Sequence, residues 1–292
     1  TGKMHEVIDM LEHAKPHAPH EDMLENVTFL KWLLDDHFVF LGYRKYDLTH
    51  SGDTTKIKTD NGSGLGILRD DSESSLVEAK DLKKISKNLQ RYMSSPEALT
   101  LTKAITKSTI HRHADMDYIG VKEFDEKGRV AAEHRFLGLF TSRAYTGTVR
   151  DIPLVRKKIE SILNTEAERG STGHNYRALT NILETYPRDE LFQISIDDLH
   201  RITNGILHLK DRQHTRLFLR RSKDDRLISA MVFIPRDKLT RINRNKIANI
   251  LSNAYKAEDI TYGIHVSDQT LARLFYMIRT EEDAKQTMTD LE

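Results

Sequence analysis

The sequence predicts an α+β protein with two separate antiparallel sheets, each accompanied by helices. Apolar residues recur every three or four positions in some stretches, which indicates amphipathic helices, and cluster with β-branched and aromatic residues in others, which indicates strands. Polar turn sequences separate the strand-like stretches, as at 125–128, which reads D-E-K-G. With 292 residues, 38% of them hydrophobic, the chain is long enough for two domains with their own cores.

The first half is predicted to hold a helical lead-in (1–36) and an antiparallel α+β domain (37–150). Helices are expected at 3–14 and 21–36, joined by the His- and Pro-rich linker 15–20, and a further helix at 80–93. The predicted strands are 38–48 and 99–106 and the hairpin formed by 117–124 and 129–141. The glycine-bearing stretch 61–66 lacks the Lys-Ser/Thr pair and the spacing of a phosphate-binding loop, so we interpret it as a turn.

A helical hairpin (151–188) is predicted to link the two halves. Asp151 is a plausible N-cap for its first helix, with Pro153 close behind it. In the second helix, apolar residues recur every three or four positions up to Tyr186. Pro187 ends this helix because proline lacks an N–H to donate. Ser195, followed by Asp198, predicts the start of another helix.

The last domain (189–280) is predicted to have the order αββαββ, followed by a tail (281–292) without a core pattern. Helices are expected at 197–209 and 239–256, and strands at 215–221, 227–234, 259–266 and 271–279. This order is close to the ferredoxin-like split βαβ arrangement, with 191–196 as a possible short first strand. The apolar face of the second helix is predicted to comprise Leu239, Ile242, Ile247, Ile250, Leu251 and Ala254.

The strand 227–234 is apolar on both faces. Leu227, Met231 and Phe233 point one way, while Ile228, Ala230, Val232 and Ile234 point the other. A strand of this kind is usually covered on both sides, and two helices on one side of the sheet leave the other side open. We therefore predict that the first domain, a second copy of the chain or a further part of a longer protein covers it, which indicates a role in assembly.

Composition excludes several classes of function. The chain has no cysteine, so it has neither disulfides nor thiolate metal sites, and this suits a reducing, cytoplasmic location. It contains no apolar run of about eighteen residues, as a membrane helix requires. Its net charge of +1 gives no overall attraction to nucleic acid or to anionic membranes. Both ends of the sequence look arbitrary, as in a fragment of a longer chain.

Two groups of residues are weak candidates for sites. His111, His113 and Asp115 alternate along an extended segment and have the ligand types of zinc or non-haem iron sites, although a solvated strand or loop explains them as well. Residues 210–246 contain twelve Lys or Arg against four Asp. This region predicts either a solvated basic face or a contact with an acidic surface of the same oligomer, through Arg216, Arg220, Arg221, Arg226, Arg236, Arg241 and Arg244.

The charged stretch that follows the hairpin is assigned no catalytic role. Tyr186, Arg188, Asp189 and Glu190 stand at a helix end, where a charged joint between two folded halves is the ordinary outcome.

Four stretches resemble one known family. They are 182–196 (I-L-E-T-Y-P-R-D-E-L-F-Q-I-S-I), 38–46 (F-V-F-L-G-Y-R-K-Y), 135–153 (R-F-L-G-L-F-T-S-R-A-Y-T-G-T-V-R-D-I-P) and 117–121 (D-Y-I-G-V). Taken in their order along the chain, they cover most of it and resemble the large bacterial NAD-dependent glutamate dehydrogenases, in the non-catalytic region ahead of the dehydrogenase domain. The resemblance implies that the last domain is ACT-like.

The resemblance also implies a division of labour. The parent enzyme would convert L-glutamate to 2-oxoglutarate and ammonia with NAD, whereas this segment lacks the glycine fingerprint of a dinucleotide fold and is expected to bind no cofactor. We expect a regulatory and assembly segment that associates with the rest of the dehydrogenase and either binds an amino-acid effector at an ACT-like interface, holds the subunits of a homo-oligomer together, or does both. The alternative is a free-standing small-molecule sensor or basic binding module.

Overall fold

The structure, a computed structural model, describes residues 1–13, 20–51, 54–60, 62–69, 95, 97–110, 113–168, 170, 173–209, 214–222, 227–267 and 270–280. The predicted linker 15–20 (apart from its last residue), the predicted helix 80–93 and the predicted tail 281–292 lie outside these ranges. The chain forms two compact units, Thr1–Glu160 and Ser161–Glu292. Both contain helices and an antiparallel sheet, so the predicted α+β class is confirmed.

The first unit is built around a six-stranded sheet with the order β2-β1-β6-β5-β4, in which β3 also pairs with β1. Its elements are α1 (Gly2–His13), α2 (His20–Trp32), a π-helical turn (Leu33–His37), β1 (Phe38–Ser51), β2 (Thr54–Thr59), β3 (Leu65–Gly66), β4 (Leu99–Lys107), β5 (Asp115–Phe124), β6 (Val130–Phe140), α3 (Ser142–Thr146) and a 3-10 turn (Val149–Asp151).

The sequence predicted most of these strands but missed two. The β5–β6 hairpin forms as expected, with Asp117 opposite Gly138 and Val121 opposite His134. β2 was missed because its six residues, T-T-K-I-K-T, contain one apolar side chain and so show no alternating pattern. It forms as the second strand of a hairpin, because the chain turns back after β1 and pairs antiparallel with it.

The linking helix α4 (Val155–Glu168) begins later than the sequence indicates. The predicted N-cap, Asp151, is wrong, because it belongs to the preceding 3-10 turn. The chain enters the helix through Leu154, whose φ of 67° lies in the left-handed region. The Leu154 N–H donates to Oε2 of Glu25 at 2.9 Å, and Arg156 binds the other oxygen of that carboxylate. A distant side chain therefore replaces the local cap.

The second unit contains α5 (Gly173–Glu184), α6 (Arg188–Gln193), α7 (Ile196–Leu207), β7 (Arg216–Arg221), β8 (Leu227–Pro235), a 3-10 turn (Arg236–Lys238), α8 (Arg241–Tyr255), β9 (Ala257–His265) and β10 (Leu271–Thr280). The sheet order is β7-β8-β10-β9. β8 and β9 are both antiparallel to β10 and therefore parallel to each other, with α8 between them in sequence. This is the predicted split βαβ arrangement. The suggested first strand at 191–196 is wrong, because those residues include the end of α6 and the start of α7.

The helix start at Ser195 is confirmed. Its hydroxyl accepts a hydrogen bond from the N–H of Asp198 at 3.1 Å. Thr240 caps α8 in the same way, through the N–H of Asn243.

β8 is buried along its apolar length, but its cover differs from the prediction. One face packs in a core with Leu251 and Tyr255 of α8 and with the even-numbered residues of β10. The other face meets α6 and α7. Ser229 of β8 donates a hydrogen bond to Glu190 of α6. Phe218 of β7, which pairs with Met231 of β8, lies against Gly205 of α7. The expectation that something outside the domain covers this face is wrong, because helices of the same unit lie on both sides of the sheet.

Candidate functional site

The predicted metal ligands are not brought together in the described part of the chain. His111 lies outside it, His113 is exposed in a bend, and Asp115 begins β5 opposite Lys107. Within the described residues, no three or more His, Asp or Glu side chains are placed to hold a metal ion. The metal site stays a prediction.

The predicted basic residues occupy different parts of the second unit. Arg226 lies outside the described residues; Arg216, Arg236 and Arg241 are exposed, and Arg221 is half-buried. Arg244 on α8 is also half-buried, with its guanidinium 4.6 Å from the ring centre of Tyr262. Arg220, in contrast, is 6% exposed and ion-paired inside the unit. The contact with an acidic surface stays a prediction for the exposed members, and Arg220 has a structural partner instead.

Glu190 is the centre of the buried polar network between α6 and the sheet. Its side chain is 1% exposed, and both of its oxygens accept from Arg220: Nε binds Oε1, and Nη2 binds Oε2 at 2.8 Å. The hydroxyl of Ser229 on β8 donates to Oε1 at 2.7 Å. Desolvation opposes the charge of the Arg220 guanidinium, but the bond to Glu190 outweighs it, and the pKa of Arg220 is raised. The bidentate pair fixes the register of α6 on the sheet.

Tyr186 and Arg273 extend this polar layer. The Tyr186 side chain is 2% exposed, and its hydroxyl has no hydrogen-bond partner among the described residues. Burial, followed by the charge of Glu190, raises the pKa of Tyr186. Arg273 on β10 donates to the carbonyl of Thr185 at 2.7 Å, and burial lowers the pKa of its guanidinium to about 10. The helix end that the sequence marked as a charged joint is therefore attached to two strands of the sheet.

The outer side of α8 and the edge strand β9 expose apolar side chains. The sequence placed Ile242 and Ile250 in the buried stripe of this helix, but they are 68% and 57% exposed. On β9, Tyr262 and Ile264 are about half exposed, and Val266 just after it is similar. β9 is hydrogen-bonded to β10 on one side, and among the described residues no strand pairs with its other side. An open strand edge with apolar side chains is a surface for pairing with another chain.

In the first unit, a second network joins three strands of the sheet. Lys45 Nζ lies 3.1 Å and His134 Nε2 3.4 Å from Oε2 of Glu123, and the hydroxyl of Tyr43 lies 3.0 Å from His134 Nδ1. The bond to His134, together with that to Lys45, outweighs burial and lowers the pKa of Glu123 to about 2. Burial raises the pKa of Tyr43 to about 12. On the opposite face, Glu133 pairs with Arg135 at 2.7 Å.

The glycine-bearing stretch packs against β1. Gly66 has a φ of 62° and is paired with Gly42, and a Cβ on Gly66 would overlap the carbonyl oxygen of Leu41. The glycine is therefore needed for close approach of two backbones, and the stretch that we interpreted as a turn ends in the short strand β3.

None of the described helices is both long enough and apolar enough to cross a membrane.

Comparison with known proteins gives two family matches. Residues 152–212 match glutamate dehydrogenase, helical motif 1, and residues 216–292 match the glutamate dehydrogenase ACT2 domain. The first match covers the helices α5–α7 that carry Glu190, and the second covers the sheet that carries Arg220 and Ser229. The predicted ACT-like character of the last domain is confirmed.

Curated relatives match over nearly the whole chain. NAD-specific glutamate dehydrogenase of Pseudomonas aeruginosa is 33% identical over 97% of this chain, and that of Halomonas elongata is 32% identical over 93%. In each case the match covers 17% of the relative's length. The enzyme of Mycobacterium tuberculosis is 26% identical over 87% of this chain and 14% of its own length. The resemblance to this family is thus confirmed, and the chain spans about a sixth of the relatives it matches.

Among solved structures, the periplasmic sensory domain of the Campylobacter jejuni chemoreceptor Tlp1 is 11% identical over 94% of this chain and 87% of its own, with a TM-score of 0.24, which is too low to indicate a shared fold.

Proposed function

We propose that this chain, related over nearly its whole length to NAD-specific glutamate dehydrogenases, is a non-catalytic regulatory and assembly segment of such an enzyme. The larger protein would oxidise L-glutamate to 2-oxoglutarate and ammonium with NAD in the cytoplasm. NAD would be held by the rest of the enzyme, since the sequence of this segment has no dinucleotide fingerprint. The segment would bind an amino-acid effector, associate with further copies, or both.

The observation that carries the assembly role is the exposed apolar surface of α8 and β9. We define it as the β9 surface, made of Ile242, Ile250, Tyr262, Ile264 and Val266. Isolated exposed apolar side chains are common, but four of these five lie on two neighbouring elements and Val266 directly follows β9, whose outer edge pairs with no described strand. Pairing along that edge would satisfy backbone groups of β9 and remove the apolar side chains from water.

The distribution of charge favours a second copy of the chain as the partner. The exposed Glu258 lies near the start of β9, whereas Arg244 of α8 lies over Tyr262, farther along the strand, and Arg241 is three residues earlier on the same helix. Two copies related by a two-fold axis would pair their β9 strands antiparallel, so each acidic end would meet the basic end of its partner. In this arrangement, two of the predicted basic residues contact an acidic surface of the same oligomer.

Light scattering at several protein concentrations tests this pairing. The wild-type chain is expected to dimerise, and Thr261→Lys, at the exposed middle of β9, is expected to shift it to monomer, because the two lysines would face each other across the strand pair. Asn164→Lys is the matched control, since it adds the same charge at an exposed site on α4. A wild-type chain that stays monomeric throughout, or equal effects of both variants, would contradict assembly through the β9 surface.

Calorimetry with common amino acids tests the effector role separately. Heat of binding supports regulation, whereas association without any ligand heat supports an assembly role alone.

A further inference from the structure

A cleft in the first unit combines the groups that a free amino acid requires. It has a volume of about 290 Å³ and is lined by Trp32, His37, Arg143, Thr146, Gly147, Thr148, Asp151 and Ile152. We propose that it binds an α-amino acid with an aromatic or large apolar side chain. The cleft lies wholly within Thr1–Glu160, so the site is separate from the ACT2 match and from the β9 surface.

The aromatic wall of the cleft is held in place by backbone contacts. The rings of Trp32 and His37 stack with centres 4.0 Å apart, and Nδ1 of His37 lies 2.8 Å from the carbonyl oxygen of Trp32. The turn that carries His37 is tied to the end of β6, because Thr141 binds the carbonyls of Asp36 and His37. Phe29 also stacks on Trp32, with ring centres 5.6 Å apart, so an aromatic or apolar ligand side chain would meet preordered rings at little entropic cost.

Arg143 provides the positive charge for a carboxylate. One of its nitrogens donates to the carbonyl of Asp35 at 3.3 Å, and the carboxylates of Asp35 and Asp36 lie farther away, at 3.7 and 3.8 Å. Those two carboxylates are strongly exposed and therefore screened by water. The Arg143 side chain is 58% exposed, so its guanidinium can present N–H donors to an incoming carboxylate.

Asp151 provides the negative charge for an ammonium group. It is exposed at the end of the 3-10 turn and lines the same cleft as Arg143. Thr146, whose hydroxyl donates to the carbonyl of Ser142, and Thr148 also line the cleft, and the buried Ile152 adds an apolar contact. A cation, an anion and an aromatic wall around one small cleft match the three parts of a zwitterionic amino acid. A mononucleotide would place phosphate next to Asp151, which the charge disfavours.

Ligand binding in the cleft can be followed by tryptophan fluorescence, because Trp32 lines the cleft and is the single tryptophan of the chain. Titration with L-phenylalanine is expected to change its fluorescence saturably. 3-Phenylpropanoate, which lacks the ammonium group, and 2-phenylethylamine, which lacks the carboxylate, should each bind about 10-fold or more weakly, the usual effect of losing a charged hydrogen bond.

Substitutions test which residue binds the carboxylate of the ligand and which binds its ammonium group. Arg143→Gln should weaken L-phenylalanine and 3-phenylpropanoate alike, while Asp151→Asn should weaken L-phenylalanine and leave 3-phenylpropanoate unchanged. Arg150→Gln is the control, because Arg150 is exposed in the same turn but does not line the cleft. Absence of a saturable change, binding of 3-phenylpropanoate as tight as that of L-phenylalanine, or an equal loss in Arg150→Gln would overturn the proposal.

Binding of an amino acid in the cleft does not depend on the proposed function; only the interpretation that this binding regulates an enzyme rests on it. Binding to Trp32 is measured without any enzyme activity, so this site can fail while assembly through the β9 surface succeeds, and the reverse also holds.

Discussion

At the scale of single residues, the buried carboxylate of Glu190 is expected to be the most sensitive position of the second unit. Glu190→Gln would leave the guanidinium of Arg220 buried without a counter-charge, so the free energy of unfolding should fall by about 3–5 kcal/mol. Urea denaturation measures this. Glu168→Gln, at an exposed site on α4, should change it by less than about 0.5 kcal/mol.

The double variant Glu190→Leu with Arg220→Met separates two explanations of that loss. If the cost comes from an uncompensated buried charge, removing both charges should restore most of the stability. A double variant as unstable as Glu190→Gln would show that the pair itself, or its bond to Ser229, is what stabilises the unit.

The stability of the first unit should depend on pH through Glu123. The folded state lowers the pKa of this carboxyl to about 2 from 4.5, so the charged form is favoured in the folded protein. Its contribution is complete above the unfolded pKa and is lost as the pH falls through about 4.5 towards 2. Denaturation at a series of pH values should show a smaller loss over this range in Glu123→Gln than in the wild type. Equal losses would contradict the assigned bonds to His134 and Lys45.

Single residues also show which contacts could be predicted from the sequence and which could not. Ser195 was recognisable as a helix cap because its partner, Asp198, is three residues away. The partners of Glu190 lie 30 and 39 residues along the chain, and Leu154 is held by Glu25, which is 129 residues earlier. Pairings at such distances leave no periodic or local signal, so the polar network, the left-handed turn and the cleft around Trp32 had to come from the structure.

At the scale of elements, the sequence pattern predicted most of the longer helices and strands, missed short ones such as β2, β3 and α6, and did not show which side of each element is covered. The apolar pattern of β8 correctly indicated burial on both faces, yet α6 and α7 provide the second cover. The stripe predicted for α8 was too wide, since Ile242 and Ile250 face solvent. The helical period shows which residues share a side, whereas the width of the contact depends on the neighbouring elements.

Two strand glycines give a test at this scale. A Cβ at Gly138 of β6 would overlap the carbonyl oxygen of Val39 and the ring of Phe38, whereas a Cβ at Gly263 of β9 would meet nothing within 4 Å. Thermal or urea denaturation should show Gly138→Ala destabilised by roughly 1–3 kcal/mol, since the two paired strands must move apart. Gly263→Ala should be neutral or slightly stabilising. Similar effects at both sites would contradict the close approach of β1 and β6.

At the scale of the whole molecule, the segments that match the two family models contact each other inside the second unit. The helical motif supplies Glu190 and the ACT2 domain supplies Arg220, so one buried ion pair crosses from one matched segment to the other. A ligand or partner that moved the sheet would therefore also act on the helices. Under the proposed function, the chemistry of the complete enzyme would lie in the part that this chain, which covers 17% of its first relatives, does not span.

The most direct test of the central claim is the formation of NADH by the purified chain with L-glutamate and NAD. Circular dichroism first confirms that the sample is folded, and the absorbance of NADH is then followed against a protein-free blank. We expect no glutamate-dependent NADH at any chain concentration. A rate that requires glutamate and rises in proportion to the chain would contradict the assignment of this segment to regulation and assembly.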